Sequence, residues 1–382
     1  MEGPTPDESS SRGEGLGPLE SRQVRARPPL VVAWELTRAC PLACKHCRAT
    51  AQRERHPAEL TFEEGRAFLA DLACSFPGAV LILTGGEPLS RPDTLDLARA
   101  GSELGLQMAL SVDVGWLLTA ERCREIREVG VSRVSFSLHF PDAVRSDRFA
   151  STPGFHAAAL EGLAGLRDAG VAFQVHTTVM RSNAGVLPTM HRLVGELGAA
   201  GWELFFLVPT GRGRLLANEE LPPVEQERVL RWLYRLQRQS AFPVKQICAP
   251  HFRRVEAQSA RARKDRRPER LTTRLTTMSR GCLAGNGFAF VSHVGDVCGC
   301  GFLPLAVGNV RERLFSDIYL EAPLFRAFRD PSRLGGDCGA CEYRAVCGGC
   351  RARAYAATGD PLAEEPDCAY EPAGIVGVAR TT

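Results

Sequence analysis

Three cysteines, Cys40, Cys44 and Cys47, follow directly on the first apolar, strand-like run of this 382-residue chain. The run is Leu30–Leu36, and the stretch Cys40-Pro-Leu-Ala-Cys44-Lys-His-Cys47 sets three thiols on one loop. That loop leaves the C-terminal end of a strand, where barrel enzymes place their chemistry. Three thiolates can hold three irons of a [4Fe–4S] cluster and leave the fourth iron open to a substrate or cofactor. Structural zinc takes four ligands. No fourth Cys is nearby, and His46, the one alternative ligand, is badly placed beside Cys47.

Fourteen cysteines are present, gathered mainly in two groups, and the formal net charge is +3. Near-balance of charge gives no reason to expect nucleic acid or an anionic membrane as partner. The longest apolar runs, such as Ala79–Leu83 and Leu204–Val208, are far too short to span a bilayer. The N-terminus is polar, acidic and rich in Gly, Pro and Ser, without the apolar core of a secretory signal. A cytoplasmic protein is expected. In a reducing compartment, clustered cysteines read as metal or catalytic sites rather than disulfides.

Residues 1–28 read as a disordered tail. A strand–helix rhythm then begins, with strands expected at Leu30–Leu36, Ala79–Thr84, Leu106–Val112, Arg133–Leu138, Val171–Val179 and Glu203–Pro209. Thr61 with Glu64 forms a capping box for one intervening helix, and Thr119 caps another that Gly130 stops. Six strands each followed by a helix predict an α/β fold, a partial (β/α)6 barrel over residues 29–221. Val134, Phe136 and Leu138 share one strand face and Ser135, Ser137 and His139 the other. Val175 and Val179 likewise lie opposite Gln174, His176 and Thr178. A closed barrel fills its interior with apolar side chains. A polar inner face points to an open barrel with a ligand cavity, or else to a half-solvated sheet. Residues 222–278 read as a helical, basic bridging segment. Residues 279–382 form a Cys/Gly-rich region with hairpin-like pieces and too little apolar material for a large core, so metal would have to stabilise it.

The cysteine triplet resembles the motif of the radical SAM superfamily. The resemblance implies a partial barrel in which Cys40, Cys44 and Cys47 hold a [4Fe–4S] cluster whose open iron binds S-adenosylmethionine. Thr84-Gly85-Gly86-Glu87-Pro88 closes the second strand and matches the run that contacts the methionine amino group. Its glycines permit close backbone approach to a ligand. Where relatives often carry Thr-Asn-Gly after the third strand, this chain has Ser111-Val112-Asp113-Val114-Gly115. The polar role there passes to Ser111 or Asp113. Gly85, Gly86, Glu87, Ser111 and Ser137 are the cofactor-binding residues so implied.

The second cysteine group runs Cys282, Cys300, Cys338-x2-Cys341-x5-Cys347-x2-Cys350 and Cys368. It resembles the SPASM extension, which carries auxiliary [4Fe–4S] clusters. The resemblance implies that Cys338, Cys341, Cys347 and Cys368 ligate one cluster and that Cys282, Cys300 and Cys350 contribute to another. The usual pattern has three residues in the last close pair, not two. Cys298 is an extra thiol able to substitute for Cys300. Paired zinc knuckles are the alternative. Cys74 and Cys123 read as packed thiols.

Trp34-Glu-Leu-Thr-Arg-Ala-Cys40, Leu207-Val-Pro-Thr-Gly-Arg-Gly213, Cys248-Ala-Pro-His251-Phe-Arg253 and Cys347-Gly-Gly-Cys-Arg-Ala-Arg-Ala-Tyr355 narrow the resemblance. Together they are similar to radical SAM enzymes of alternative haem and haem d1 biosynthesis, the siroheme-dependent haem synthases above all. That implies an iron porphyrinoid substrate, iron-coproporphyrin III, with two propionates decarboxylated to vinyl groups. It also implies an electron donor such as flavodoxin or ferredoxin. Arg212, Arg214, Arg253 and Arg254 are candidate carboxylate partners, since a guanidinium fork suits a carboxylate. His251 is a candidate for the haem iron or a propionate. Cys248 is a substrate-side thiol or merely buried. A sister tetrapyrrole step, a SPASM peptide maturase and a non-enzymatic metal-cluster protein are the competing readings.

Overall fold

The computed structural model describes residues 28–262 and 281–373. The expected N-terminal tail therefore lies outside the described residues, apart from Pro28, as does the end of the expected bridging segment. The strands are β1 (Val31–Thr37), β2 (Val80–Gly85), β3 (Gln107–Val112), β4 (Arg133–Ser137), β5 (Phe173–Val179), β6 (Trp202–Phe206), β7 (Val244–Ile247), β8 (Phe288–Val291), β9 (Asp296–Cys300) and β10 (Leu303–Asn309). They form a single ten-stranded sheet in the order β10-β9-β8-β1-β2-β3-β4-β5-β6-β7. From β8 through β1 to β7 every neighbouring pair is parallel. The sheet ends at β7 and β10 and does not close on itself, so the expected open, parallel α/β architecture is present.

Helices cover the outer face. The helix Phe62–Ser75 starts at Thr61, whose hydroxyl accepts the Glu64 N–H while the Glu64 carboxylate accepts the Thr61 N–H. A capping box of this kind satisfies two donors that a helix start leaves free. This helix buries Phe68, Leu69 and Leu72 against β1, and Phe68 meets the fully buried Trp34 edge-on at 5.4 Å. Each such buried side chain contributes about 1.5–3 kcal/mol. Thr119 caps the helix Ala120–Glu128 through the Arg122 N–H. Cys123 is buried on that helix as expected, but Cys74 is exposed, because it lies on the solvent side of the last turn of its helix. It is not the packed thiol its setting suggested.

The inner face of β4 and β5 is polar and largely buried. Ser135, His139 and Thr178 are nearly inaccessible, Ser137, Gln174 and His176 are partly buried, and His139 Nδ1 accepts the Thr178 N–H at 3.0 Å. A half-solvated sheet is thereby replaced by a lined interior.

Residues 222–278 differ from the expected helical segment. Helices Pro223–Gln237 and Phe252–Ala262 flank β7, which pairs in parallel with β6 and extends the sheet. Four residues, Val244-Lys-Gln-Ile247, carry too short an apolar signal to announce a strand. On the opposite edge, β8 adds in parallel to β1, and β9 and β10 follow antiparallel. The cysteine-rich region thus builds on the barrel sheet. No described helix is long and apolar enough to cross a membrane.

Candidate functional site

The cysteine loop leaves β1 and is held at both ends by backbone. Cys40 N–H donates to Gln52 O at 2.7 Å, and Gln52 N–H to Arg38 O at 2.9 Å. Cys40 Sγ accepts the Leu42 N–H and Cys47 Sγ the Ala51 N–H, both at 3.4 Å. Burial pushes the Cys40 thiol up to about 12 and Cys44 higher still, and the neighbouring charges of Cys47, Cys40 and Asp113 add to the effect. Crowded thiols such as Cys40 and Cys44 become thiolates readily only beside strong positive charge, which an iron cluster would supply. Among the described residues no three His, Cys, Asp or Glu side chains close around a single-ion site.

Gly85 and Gly86 were expected to let backbone approach a ligand. Their neighbour is instead the cysteine loop itself. A Cβ on Gly85 would sit 2.4 Å from Thr37 O, and one on Gly86 2.4 Å from Ala39 O. Gly86 N–H donates to Thr37 O and Glu87 N–H to Ala39 O. Glu87 is fully buried, and its carboxyl accepts the N–H groups of Leu89, Asp113 and Val114 at 2.9–3.0 Å. Burial outweighs those bonds and pushes it up to about 8. The motif therefore ties the ends of β1, β2 and β3 together beneath the cysteines.

A narrow cavity opens beside this junction, lined by Cys44, His46, Asp113, Ser137, His139 and Phe149 among others. Asp113 accepts the Ser137 N–H at 2.9 Å and lines the cavity, whereas Ser111 does not line it. The His46 ring stacks on Phe149 at 5.0 Å and meets His139 edge-on at 4.4 Å. Burial, with Arg212 nearby, pushes His46 down to about 4 and keeps it neutral. Two buried polar atoms here have no partner, His46 Nδ1 and Arg212 Nη2. Unsatisfied buried donors and acceptors are rare in folded chains, and here they suit a polar cofactor beside Cys44.

Arg212 lies on the loop after β6. Its Nε donates to Cys44 O at 3.0 Å, its Nη1 to Ala51 O at 3.1 Å, and its own N–H to Cys47 O at 3.0 Å. Gly211 adopts φ +56°, and a Cβ there would lie 2.2 Å from Arg48 O. The Pro-Thr-Gly-Arg-Gly stretch thus clamps the cysteine loop through Arg212 Nε and Nη1 and leaves Nη2 without a protein partner. Arg214 on the same loop is exposed. Arg253 pairs with Glu256 at 2.9 Å within its helix, and Arg254 with Glu227 at 2.5 Å. His251 is buried with both ring nitrogens unpartnered, and burial pushes it down to about 4. Charges acting on it come from Glu365 and Arg353 of the C-terminal array and from Arg254 and Glu227 on the helices beside β7.

The C-terminal cysteines separate into two sets. In one, Cys248 feels the charge of Cys282, Cys300 and Cys350, Cys300 that of Cys282 and Cys350, and Cys350 that of Cys282. Cys248 was not foreseen as a member of this set. It follows β7 at the opposite sheet edge from Cys300, in a left-handed turn with φ +58°. Its only signal in the sequence was the Cys-Ala-Pro-His stretch. In the other set Cys347 feels Cys338 and Cys368, Cys338 feels Cys368, Cys341 and Cys368 both feel Arg254, and Cys338 Sγ accepts the Glu365 N–H at 3.3 Å. Cys298 belongs to neither. It packs with Ala33 and Phe290, near Glu35 and Arg48.

The radical SAM superfamily profile matches residues 34–184, and that of the iron–sulfur cluster-binding SPASM domain residues 282–351. An AdoMet-dependent heme synthase of Methanosarcina barkeri is 44% identical over 90% of this chain and 97% of its own length. An Fe-coproporphyrin III synthase of the same organism is 32% identical over 88% and 87% respectively. The structure of Streptococcus suis SuiB bound to precursor peptide SuiA superposes with a TM-score of 0.69 at 16% identity, covering 90% of this chain and 76% of that one. The chain therefore belongs to the radical SAM family and is an enzyme that uses S-adenosylmethionine with a [4Fe–4S] cluster, its SPASM extension carrying auxiliary iron–sulfur clusters.

Proposed function

We propose that this enzyme acts in haem biosynthesis, oxidatively decarboxylating the two propionates of iron-coproporphyrin III to vinyl groups. The observation that carries the reading is the likeness to AdoMet-dependent heme synthase over nearly the whole of both chains. Likeness to Fe-coproporphyrin III synthase is lower, at 32%. Bound together, the cluster and S-adenosylmethionine supply the power to take a hydrogen atom from an unactivated carbon. Each propionate then loses that hydrogen from its β-carbon, carbon dioxide, and one electron.

Cys40, Cys44 and Cys47 hold the reactive cluster, clamped by Arg212. Asp113 and Ser137 face the cofactor, while Gly85, Gly86 and Glu87 set the loop above it. Ser111 supports β3 from the sheet. Cys248, Cys282, Cys300 and Cys350 provide four thiolates for one auxiliary cluster, and Cys338, Cys341, Cys347 and Cys368 for the other. A cluster closed by four thiolates has no iron free for substrate, which suits it to accept the departing electron; such potentials are tunable over a wide range. Of the residues expected at substrate, Arg214 retains an exposed guanidinium for a propionate. Arg253 pairs with Glu256, whereas His251 keeps both ring nitrogens without a protein partner and so stays a candidate for the haem iron or a propionate. A flavodoxin- or ferredoxin-type donor primes the reaction.

Anaerobic reconstitution followed by incubation with reductant, S-adenosylmethionine and iron-coproporphyrin III tests the reading, with products followed by mass. Haem is the expected product. Formation of 5′-deoxyadenosine with the porphyrin left fully carboxylated would exclude it.

A further inference from the structure

Between the two C-terminal cysteine sets lies a buried charge network. Arg353, Glu365 and Asp367 are all almost inaccessible to solvent. Arg353 Nη1 donates to Glu365 Oε1 at 3.0 Å, and its Nε lies 2.8 Å from Asp367 Oδ2. Its Nη2 donates to Leu207 O at 3.1 Å and to Cys248 O at 3.0 Å. Glu365 Oε2 accepts the Cys350 N–H at 2.6 Å, while the Glu365 N–H bonds Cys338 Sγ at 3.3 Å. One residue therefore reaches a cysteine of each set, by its side chain in one direction and its backbone in the other. Gln226 anchors the far side through Asp367 at 2.5 Å.

Such a network is expensive for folding alone. Desolvating a buried ion pair commonly costs as much as the pair returns, and an apolar replacement often serves stability as well or better. Its placement has an electrostatic consequence instead. Arg353 stands against the Cys248 carbonyl, whereas Glu365 stands against both the Cys350 N–H and Cys338 Sγ. In so dry a setting charges act strongly over short range.

We propose that Glu365 and Arg353 are positioning residues that couple the two auxiliary iron–sulfur sites and set their relative reduction potentials. Glu365 depresses both potentials, because its negative charge disfavours an added electron at either cluster. Arg353 raises the potential of the Cys248–Cys282–Cys300–Cys350 cluster selectively. The inference rests on both cysteine sets holding clusters; it does not depend on which substrate is used.

The test is an EPR-monitored redox titration of the full chain, reconstituted without oxygen, in a background where Cys40, Cys44 and Cys47 are replaced by Ala. Only auxiliary signals then remain. Glu365→Gln should shift both potentials upward, and Arg353→Gln should shift that of the Cys350-containing cluster downward. Opposite signs are not what general loosening of the fold produces. Both potentials unmoved in Glu365→Gln, or one alone moved, would overturn the coupling. If Glu365→Gln fails to retain its clusters, Glu365→Asp decides: withdrawing the carboxylate from Cys350 should raise that cluster's potential, and an unchanged value refutes the proposal. Absence of any auxiliary signal in the unsubstituted array would instead overturn the cluster assignment itself.

Discussion

Replacing Gly86 by Ala perturbs the junction beneath the cysteine loop by a single methyl group. The added Cβ would stand 2.4 Å from Ala39 O, 2.7 Å from Arg38 O and 2.8 Å from the Ala39 carbonyl carbon. All three atoms are backbone, so no rotamer change relieves the contact. Overpacking of this kind costs about 1–3 kcal/mol, and the absence of a movable neighbour places the cost near the upper end. The strain falls on residues 38–39, immediately before Cys40, so the loop is the part that gives way. If the whole of about 3 kcal/mol opposes the cluster-competent loop, occupancy of that state falls roughly 150-fold. Iron and sulfide content, S-adenosylmethionine binding and the rate of 5′-deoxyadenosine formation should all drop. Gly185→Ala is the control, since nothing lies within 4 Å of its Cβ position and its φ is ordinary. A Gly86→Ala enzyme with full iron content, unchanged cofactor binding and unchanged rate would refute the packing argument.

Arg212→Met removes the bonds to Cys44 O and Ala51 O, and should lower iron content and cut deoxyadenosine formation at least tenfold, as read by iron analysis and chromatography; Arg212→Lys, lacking the fork, should rescue little. Cys248→Ser should cost one cluster's worth of iron and abolish porphyrin turnover while cleavage of S-adenosylmethionine persists; full iron content would remove Cys248 from the ligand set. Glu35 is fully buried, and although burial alone would raise its carboxyl, Arg48, the His293 bond and Arg38 hold it at about 2. A depressed carboxylate of this size contributes about 3 kcal/mol, present above pH 4.5 and lost as pH falls toward 2. Glu35→Gln should flatten that acid limb in urea denaturation followed as a function of pH.

Much of the fold was legible because its signals are local. The capping box at Thr61–Glu64 and the alternation Ser135, Ser137, His139 against Val134, Phe136, Leu138 follow from periods that a strand or helix imposes on its own residues. What stayed hidden depends on contacts distant in sequence. β7 is four residues with Lys and Gln at its centre and is a strand because β6 lies beside it. Cys248 joins Cys282, Cys300 and Cys350 only once sheet and array are folded together, with Arg353 binding its carbonyl. Arg212 read as a free guanidinium, whereas its partners are carbonyls 161 and 168 residues away. Gly85 and Gly86 were correctly singled out for close approach, but the approaching surface is the backbone of Thr37, Arg38 and Ala39. The cysteine triplet itself carried its chemistry openly, since its spacing alone sets three thiols on one loop.

Stoichiometry tests the central claim most directly. With iron-coproporphyrin III, S-adenosylmethionine and reductant, carbon dioxide and 5′-deoxyadenosine should be released in equal amounts, two of each for every haem formed. Deoxyadenosine without matching carbon dioxide, or carbon dioxide that persists in a Cys44→Ala enzyme, would contradict it.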